Sequence, residues 1–146
     1  MGGGGLEWPG RALPGSDDIA GGWRGEGGVV PIVFYRALVQ SGNTAPVDAL
    51  VEALRSRRLR PVPLFVHSLK EPEAAALLAQ AFAAHTPDVI LNAIGFSVAA
   101  AGGHDPLQAD CPVLQIVFSG GDEESWRLGT RGLGPRDLAM NVALPE

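Results

Sequence analysis

The polar residues best placed for chemistry in this chain stand where apolar runs break off. Arg36 follows the run VVPIVFY and precedes SGNTAP, in which Gly42 permits a tight turn and Asn43 and Thr44 stand at the start of a helical pattern. A cation beside backbone N–H groups that point out of a helix start makes an anion cradle. The same residues also have a local reading, in which Asn43 or Thr44 caps the helix and Arg36 is a surface charge. Further along, HSLKE supplies Ser68 as a hydroxyl or cap and Lys70 as a mobile cation. Asn92 closes the run VILN, and a polar amide ending an apolar run must find hydrogen-bond partners wherever it lands. Gln115, inside VLQIVF, raises the same question.

Other chemistries lack their residue sets. The sequence has no GxGxxG and no GxxxxGK[ST] phosphate loop, no strand-to-helix nucleophile elbow with triad partners, no HExxH and no CxxC pair. His67 has no second ligand at metal-like spacing, and His104 and Asp105 are neighbours in a Gly-Gly loop, where adjacent side chains seldom point to one ion. The lone Cys111 precedes Pro112 and an apolar run, which fits a buried small hydrophobe better than a nucleophile. Asp122, Glu123 and Glu124 open a helical pattern, where acidic groups are ordinary stabilisers. No metal site is expected, and no catalytic residue can be named.

These groups need a scaffold. A chain of 146 residues, 46% of them hydrophobic, has enough apolar material for one domain with a buried core. The formal net charge of -5 argues against nucleic acid, whose phosphates need clustered Lys and Arg. The one dense basic group, Arg55, Arg57, Arg58 and Arg60, falls at a predicted helix end, where cations favour the dipole. A single cysteine suits a reducing compartment, and the sequence has neither an 18-residue apolar run nor a signal-peptide core, so a cytoplasmic location without membrane contact is expected.

Eleven of the first 28 residues are Gly, so residues 1–28 read as a linker or as the trailing edge of a preceding domain, with Trp8 and Trp23 packing there or on this domain's own sheet. From Val29 onward, short apolar runs at 29–35, 62–66, 89–93 and 113–118 lack polar alternation, the mark of strands buried on both faces. Between the first two, Val47, Leu50, Val51 and Leu54 recur at helical spacing behind Pro46 and Asp48. Leu77, Leu78, Ala81 and Phe82 mark the inward face of a second helix over residues 72–85. An irregular loop over 95–109, a helix near 122–130 and a last one from Pro135 complete the pattern. Such alternation predicts an α/β layer sandwich, Rossmann-like or flavodoxin-like, with a mostly parallel sheet of about four strands. Parallel strands bring their C-terminal ends to one edge, where Arg36, Asn43, Ser68, Lys70 and Asn92 are expected to converge.

The stretch VFYRALVQSGNTAPVDALVEALRSR resembles the large subunits of the cobaltochelatase and magnesium-chelatase family, the CobN type especially. The likeness continues in order through FVHSLKEPEAAALL, DVILNAIGFS, PVLQIVFSGGDEESWRLGTRGL and DLAMNVALPE. Members of that family are far longer, so the resemblance implies an internal piece, with residues 29–146 an incomplete α/β domain of the large subunit. It further implies a role in the tetrapyrrole-binding subunit of an ATP-dependent ligase that inserts cobalt into hydrogenobyrinate a,c-diamide during cobalamin synthesis. Motor-type ATPase subunits would then be partners, with ATP hydrolysed by them and not bound here. Under the same resemblance, Arg36, Asn43, Thr44, Ser68, Lys70 and Asn92 become candidate substrate-binding residues, Arg36 and Lys70 gripping peripheral carboxylates of the ring. Insertion of magnesium into protoporphyrin IX is the near alternative. A non-catalytic docking scaffold within such a subunit is the alternative from another class.

Overall fold

The computed structural model describes residues 27–95, 107, 109–119, 121–129 and 134–139. The expectations for residues 1–26, with Trp8 and Trp23, and for most of the 95–109 loop, with His104 and Asp105, lie outside these. Among the described residues, nine elements follow one another: β1 (Val29–Tyr35), α1 (Arg36–Gln40), α2 (Ala45–Ser56), β2 (Arg60–Val66), α3 (Pro72–Ala84), β3 (Ile90–Asn92), β4 (Val113–Gln115), α4 (Glu123–Leu128) and α5 (Pro135–Leu138). The strands form one sheet in the order β2-β1-β3-β4, and every pairing is parallel. The α/β layer architecture expected from the alternating pattern is therefore present. Its order is that of the flavodoxin-like doubly wound sheet, in which the chain moves first to one side of β1 and then to the other.

Alternate residues of β1 feed two separate cores, as the two-residue period of a strand requires. Val29 and Val33 join Leu64, Val66, Ala74, Leu78 and Ile90 on one face, where α3 packs. Val30, Ile32 and Phe34 join Val47, Val51, Phe65 and Leu91 on the other, beneath α2. Leu77, Ala81 and Phe82 of α3 and Leu50 and Leu54 of α2 line the margins of these cores, as their helical spacing predicts.

Prolines mark where pairing stops. The Arg60 N–H donates to the Gly28 carbonyl at 2.9 Å, so Arg60 faces β1 and the alternate positions Pro61 and Pro63 face away from it. Their missing donors thus fall on the outer edge of β2, where nothing pairs in the observed strand order and where proline discourages another strand from adding.

Both helices on the α2 side of the chain end in the same cap. At the end of α1, Gly42 N–H donates to the Val39 carbonyl and Asn43 N–H to that of Leu38, with Gly42 at φ 70°. At the end of α2, Arg58 N–H donates to Arg55 and Leu59 N–H to Leu54, with Arg58 at φ 61°. This is the Schellman arrangement, whose left-handed position normally takes glycine. A side chain there costs about 1–2 kcal/mol, against roughly 0.5–1 kcal/mol for the greater unfolded freedom of Gly. Arg58→Gly is therefore expected to raise unfolding stability by up to about 1 kcal/mol, read from denaturant melts; a loss of stability would show that the arginine side chain contributes more than its backbone strain costs.

Residues 36–40, directly after the first apolar run, form a helical turn whose cap takes up the N–H groups of Gly42 and Asn43. One expectation needs correcting. The last strand is shorter than the 113–118 run and is not buried on both faces: Val113 is 40% exposed and Leu114 52%. An apolar run reports that a strand wants covering on two sides, whereas among the described strands β4 is an edge that pairs with β3 alone. Ile116 and Phe118, just beyond it, do pack against the α2-side core.

Candidate functional site

The C-terminal ends of four parallel strands share one edge, and the loops that leave them carry the polar residues singled out by the sequence. Ligands of such sheets bind at this edge, beside the point where strand order reverses. Here that point lies between β1 and β3, the strands flanking the change of direction. The two pair only at Ile32 with Leu91 and Val33 with Asn92, and the Ala93 N–H then donates to the Val33 carbonyl at 2.7 Å. Beyond that rung the strands are joined by a side chain: the Tyr35 hydroxyl donates to the Gly95 carbonyl at 2.9 Å.

Arg36 is the first residue of α1, directly after β1. It lines a small cleft with Val66 and His67 at the end of β2, and with Glu71, Glu73, Ala74 and Leu77 at the start of α3. His67 Nδ1 lies 3.1 Å from Glu71 Oε1, and both side chains are well exposed. The structure therefore brings Arg36 and His67 together, but in company with two carboxylates that compete for the cation. An anion entering the cleft must displace or share that acidic lining.

Asn43 and Thr44 lie one turn further on. The amides of Gly42 and Asn43, candidates for a cradle, are directed into α1 by its cap and do not point outward. Thr44 takes the N-cap position of α2, where its carbonyl accepts from Val47 and Asp48 at 2.9 Å. Its hydroxyl does not cap the helix. It donates instead to Asp48 Oδ2 at 3.0 Å, and Thr44 is buried. Ser68 Oγ accepts from the Lys70 N–H at 3.1 Å, a local turn that brackets buried Leu69 and leaves α3 to begin after Glu71.

Asn92 is 3% exposed, and its amide is engaged at both ends. Its Nδ2 donates to Gln115 Oε1 at 3.0 Å, and its Oδ1 accepts from the Ile94 N–H at 3.1 Å. Gln115 Nε2 donates in turn to the Ile94 carbonyl at 2.9 Å. The partners that a polar strand end had to find are thus each other and the backbone of Ile94. Tyr35 was missed by sequence reasoning, although a hydroxyl closing an apolar strand is the same signal that singled out Asn92.

At the end of β4, Ser119 Oγ donates to Asp137 Oδ2 at 3.2 Å and accepts from Gly121 N–H at 3.2 Å. Asp122 caps α4: its carboxylate accepts from the Ser125 N–H at 2.7 Å and from the Ser125 hydroxyl at 2.8 Å, and these bonds hold its pKa below the usual value. That is the helix-stabilising role expected of this acidic first turn. Cys111 is half-buried against the α3-side core, and burial, then Asp110 and Asp88, push its thiol pKa up. Among the described residues, no three His, Cys, Asp or Glu side chains gather to hold a metal ion, and no helix is long and apolar enough to cross a membrane.

The family description CobN/Magnesium Chelatase matches residues 11–146, a span that includes every strand of the sheet and every loop of this edge. The chain belongs to the CobN/magnesium chelatase family. It is 42% identical to the aerobic cobaltochelatase subunit CobN of a Sinorhizobium species over 97% of its own length, and 36% identical to the subunit of the same name from Pseudomonas aeruginosa over 85%. The catalytic subunit of cobaltochelatase from Mycobacterium tuberculosis superposes with a TM-score of 0.60 at 29% identity, over 84% of this chain. The chain spans only 12%, 10% and 11% of these proteins, respectively. The family resemblance read from the sequence is thereby shown.

Proposed function

We propose that this chain serves as one α/β segment of the large, tetrapyrrole-binding subunit of an ATP-dependent cobaltochelatase, which inserts cobalt into hydrogenobyrinate a,c-diamide. The observation that carries the reading is identity of 42% and 36% to two cobaltochelatase subunits along a segment that includes the whole crevice edge. Cobalt is a substrate of this reaction, and ATP is hydrolysed by motor-type partner subunits. Metal insertion needs the macrocycle held while its pyrrole nitrogens lose protons, so the contribution of this segment is grip. Arg36 and Lys70, at the ends of β1 and β2, supply cations for the peripheral carboxylates of the ring, and charge-assisted bonds are the strong ones. The isolated chain, lacking the rest of the site, neither chelates nor hydrolyses ATP. Cobalt is favoured over magnesium because both of these similar subunits are cobaltochelatase subunits.

Arg36→Ala in the full-length large subunit is expected to weaken hydrogenobyrinate a,c-diamide binding by about 1–3 kcal/mol, read by fluorescence quenching. Its melting temperature should hold, because a half-buried charge at the rim of a solvent-open cleft adds little to folding. Unchanged affinity with weaker association of the motor subunits would move the assignment to a docking scaffold. That second reading has its own support in the exposed apolar side chains of Val113, Leu114, Trp126 and Leu128.

A further inference from the structure

The most densely bonded place on the crevice edge is a pair of backbone units held by side chains from three strands. Asn92 is the last residue of β3, and after it the ladder to β1 continues for one bond, Ala93 N–H to Val33, and then ends. In a continuing sheet the next polar groups of the strand, those of Ile94 and Gly95, would pair with neighbouring strands. Here Ile94 N–H goes to Asn92 Oδ1, Ile94 C=O to Gln115 Nε2, and Gly95 C=O to the Tyr35 hydroxyl. Nδ2 of Asn92 closes the circuit onto Gln115 Oε1, while the Ile116 N–H donates to the Asn92 carbonyl at 2.9 Å and holds β4 alongside.

Side chains thus replace ladder hydrogen bonds, Asn92 and Gln115 beside β4 and Tyr35 across the point where β1 and β3 part. A backbone bond between Tyr35 and Gly95 would bring those strands to ladder spacing, about 4.8 Å apart, and would close the crevice at its mouth. A tyrosine spanning the same gap with its ring holds them further apart and still satisfies the carbonyl. The side chain of Ile94 is fully buried, so the held unit has one apolar anchor as well as its polar ones. Networks of this kind, fully satisfied and partly buried, fix a single geometry, because each member left alone would carry an unpaired polar group. Ile94 belongs to the α3-side core and Tyr35 packs against it, so the clamp ties the crevice edge to that core.

We propose that Asn92 and Gln115 are positioning residues, whose amides together with the Tyr35 hydroxyl hold Ile94 and Gly95 in the splayed conformation that keeps the crevice between β1 and β3 open for the macrocycle. The proposal rests on the tetrapyrrole reading of this edge and deepens it. Asn92, a candidate contact from the sequence, acts in this account through the backbone it holds and not by touching the ring. Gln115 acts in the same way from β4.

The test uses the full-length large subunit and three variants. Gln115→Met keeps the length of an exposed side chain and removes its donors; Tyr35→Phe removes one hydroxyl; Asn92→Leu removes the buried amide and is the variant most liable to misfold. Hydrogen exchange at Ile94 reports the clamp itself, and quenching by hydrogenobyrinate a,c-diamide reports the crevice. Gln115→Met is expected to speed exchange at Ile94 and to raise the Kd for the tetrapyrrole roughly tenfold, with Tyr35→Phe in the same direction and the melting temperature of both little changed, since small displacements of a positioned site are costly. Faster exchange with unchanged Kd would overturn the positioning role, as would a fall in melting temperature with no change in affinity. If wild type binds no tetrapyrrole, the reading of the edge fails and the proposal with it; if wild type binds but its Ile94 exchanges as fast as that of Gln115→Met, only the clamp fails.

Discussion

Replacing Phe34 with Ala is expected to destabilise the chain by about 3–5 kcal/mol, the range for removing a buried aromatic ring. Phe34 has no exposed surface and lies opposite Phe65 across β1 and β2, the two rings 6.3 Å apart at an interplanar angle of 59°. Tilted aromatic pairs contribute roughly 0.5–1.5 kcal/mol beyond the area they bury, so the loss should sit toward the upper part of the range. The cavity would be lined by Val47, Val51 and Leu91, which come from α2 and β3 and cannot close on it without moving a helix or a strand. Guanidinium or urea unfolding of the purified chain measures the effect. A loss below about 1 kcal/mol would mean that the α2 side is loosely packed and is not a core at all.

Leu78→Ala should cost about 2–5 kcal/mol by the same mechanism on the opposite face. Leu78 is fully buried at the centre of α3, where Val33, Leu64, Val66 and Ile90 meet it. The clusters around Phe34 and Leu78 share no member, because alternate residues of β1 point to opposite sides of the sheet. The two losses should therefore add to within about 0.5 kcal/mol in the double variant. Against a typical domain stability of roughly 5–15 kcal/mol, their sum removes most of the fold. Far-UV circular dichroism of the double variant would show it largely unfolded in buffer; a folded double variant would contradict the packing of α3 on the sheet.

The functional assignment depends less on any single side chain than on where the loops emerge. Arg36 and His67 are 31 positions apart and meet in one cleft because β1 and β2 run parallel and in register from Val29 with Arg60 to Tyr35 with Val66. The carboxylates of Glu71 and Glu73 join them because α3 starts close to the end of β2. A cleft of mixed charge discriminates among anions by geometry more than by net attraction.

Much of this molecule is legible in neighbouring residues alone. The unalternated runs at β1, β2 and β3, the Val and Leu spacing of α2, the Ala-rich α3 with its Leu77, Leu78, Ala81 and Phe82 face, and the cap at Asp122 all depend on contacts within a few positions, so composition and periodicity suffice to reveal them. Family membership was equally legible, because it is a property of residue order. Edge position was written more faintly: Pro61 and Pro63 forbid a strand on the far side of β2, yet that is apparent only once the side facing β1 is known. What neighbours could not decide was everything set by pairing at a distance. The order β2-β1-β3-β4, the exposure of β4 despite its apolar run, and the bonds from Asn92 to Gln115 and from Tyr35 to Gly95 join residues between 23 and 60 positions apart. The local code states that Asn92 needs partners, that Gly42 permits a tight turn and that β4 is apolar. Only the tertiary structure decides which partners, which amides remain to bind a ligand and which strand lies at the edge, because those outcomes depend on how the whole sheet is assembled.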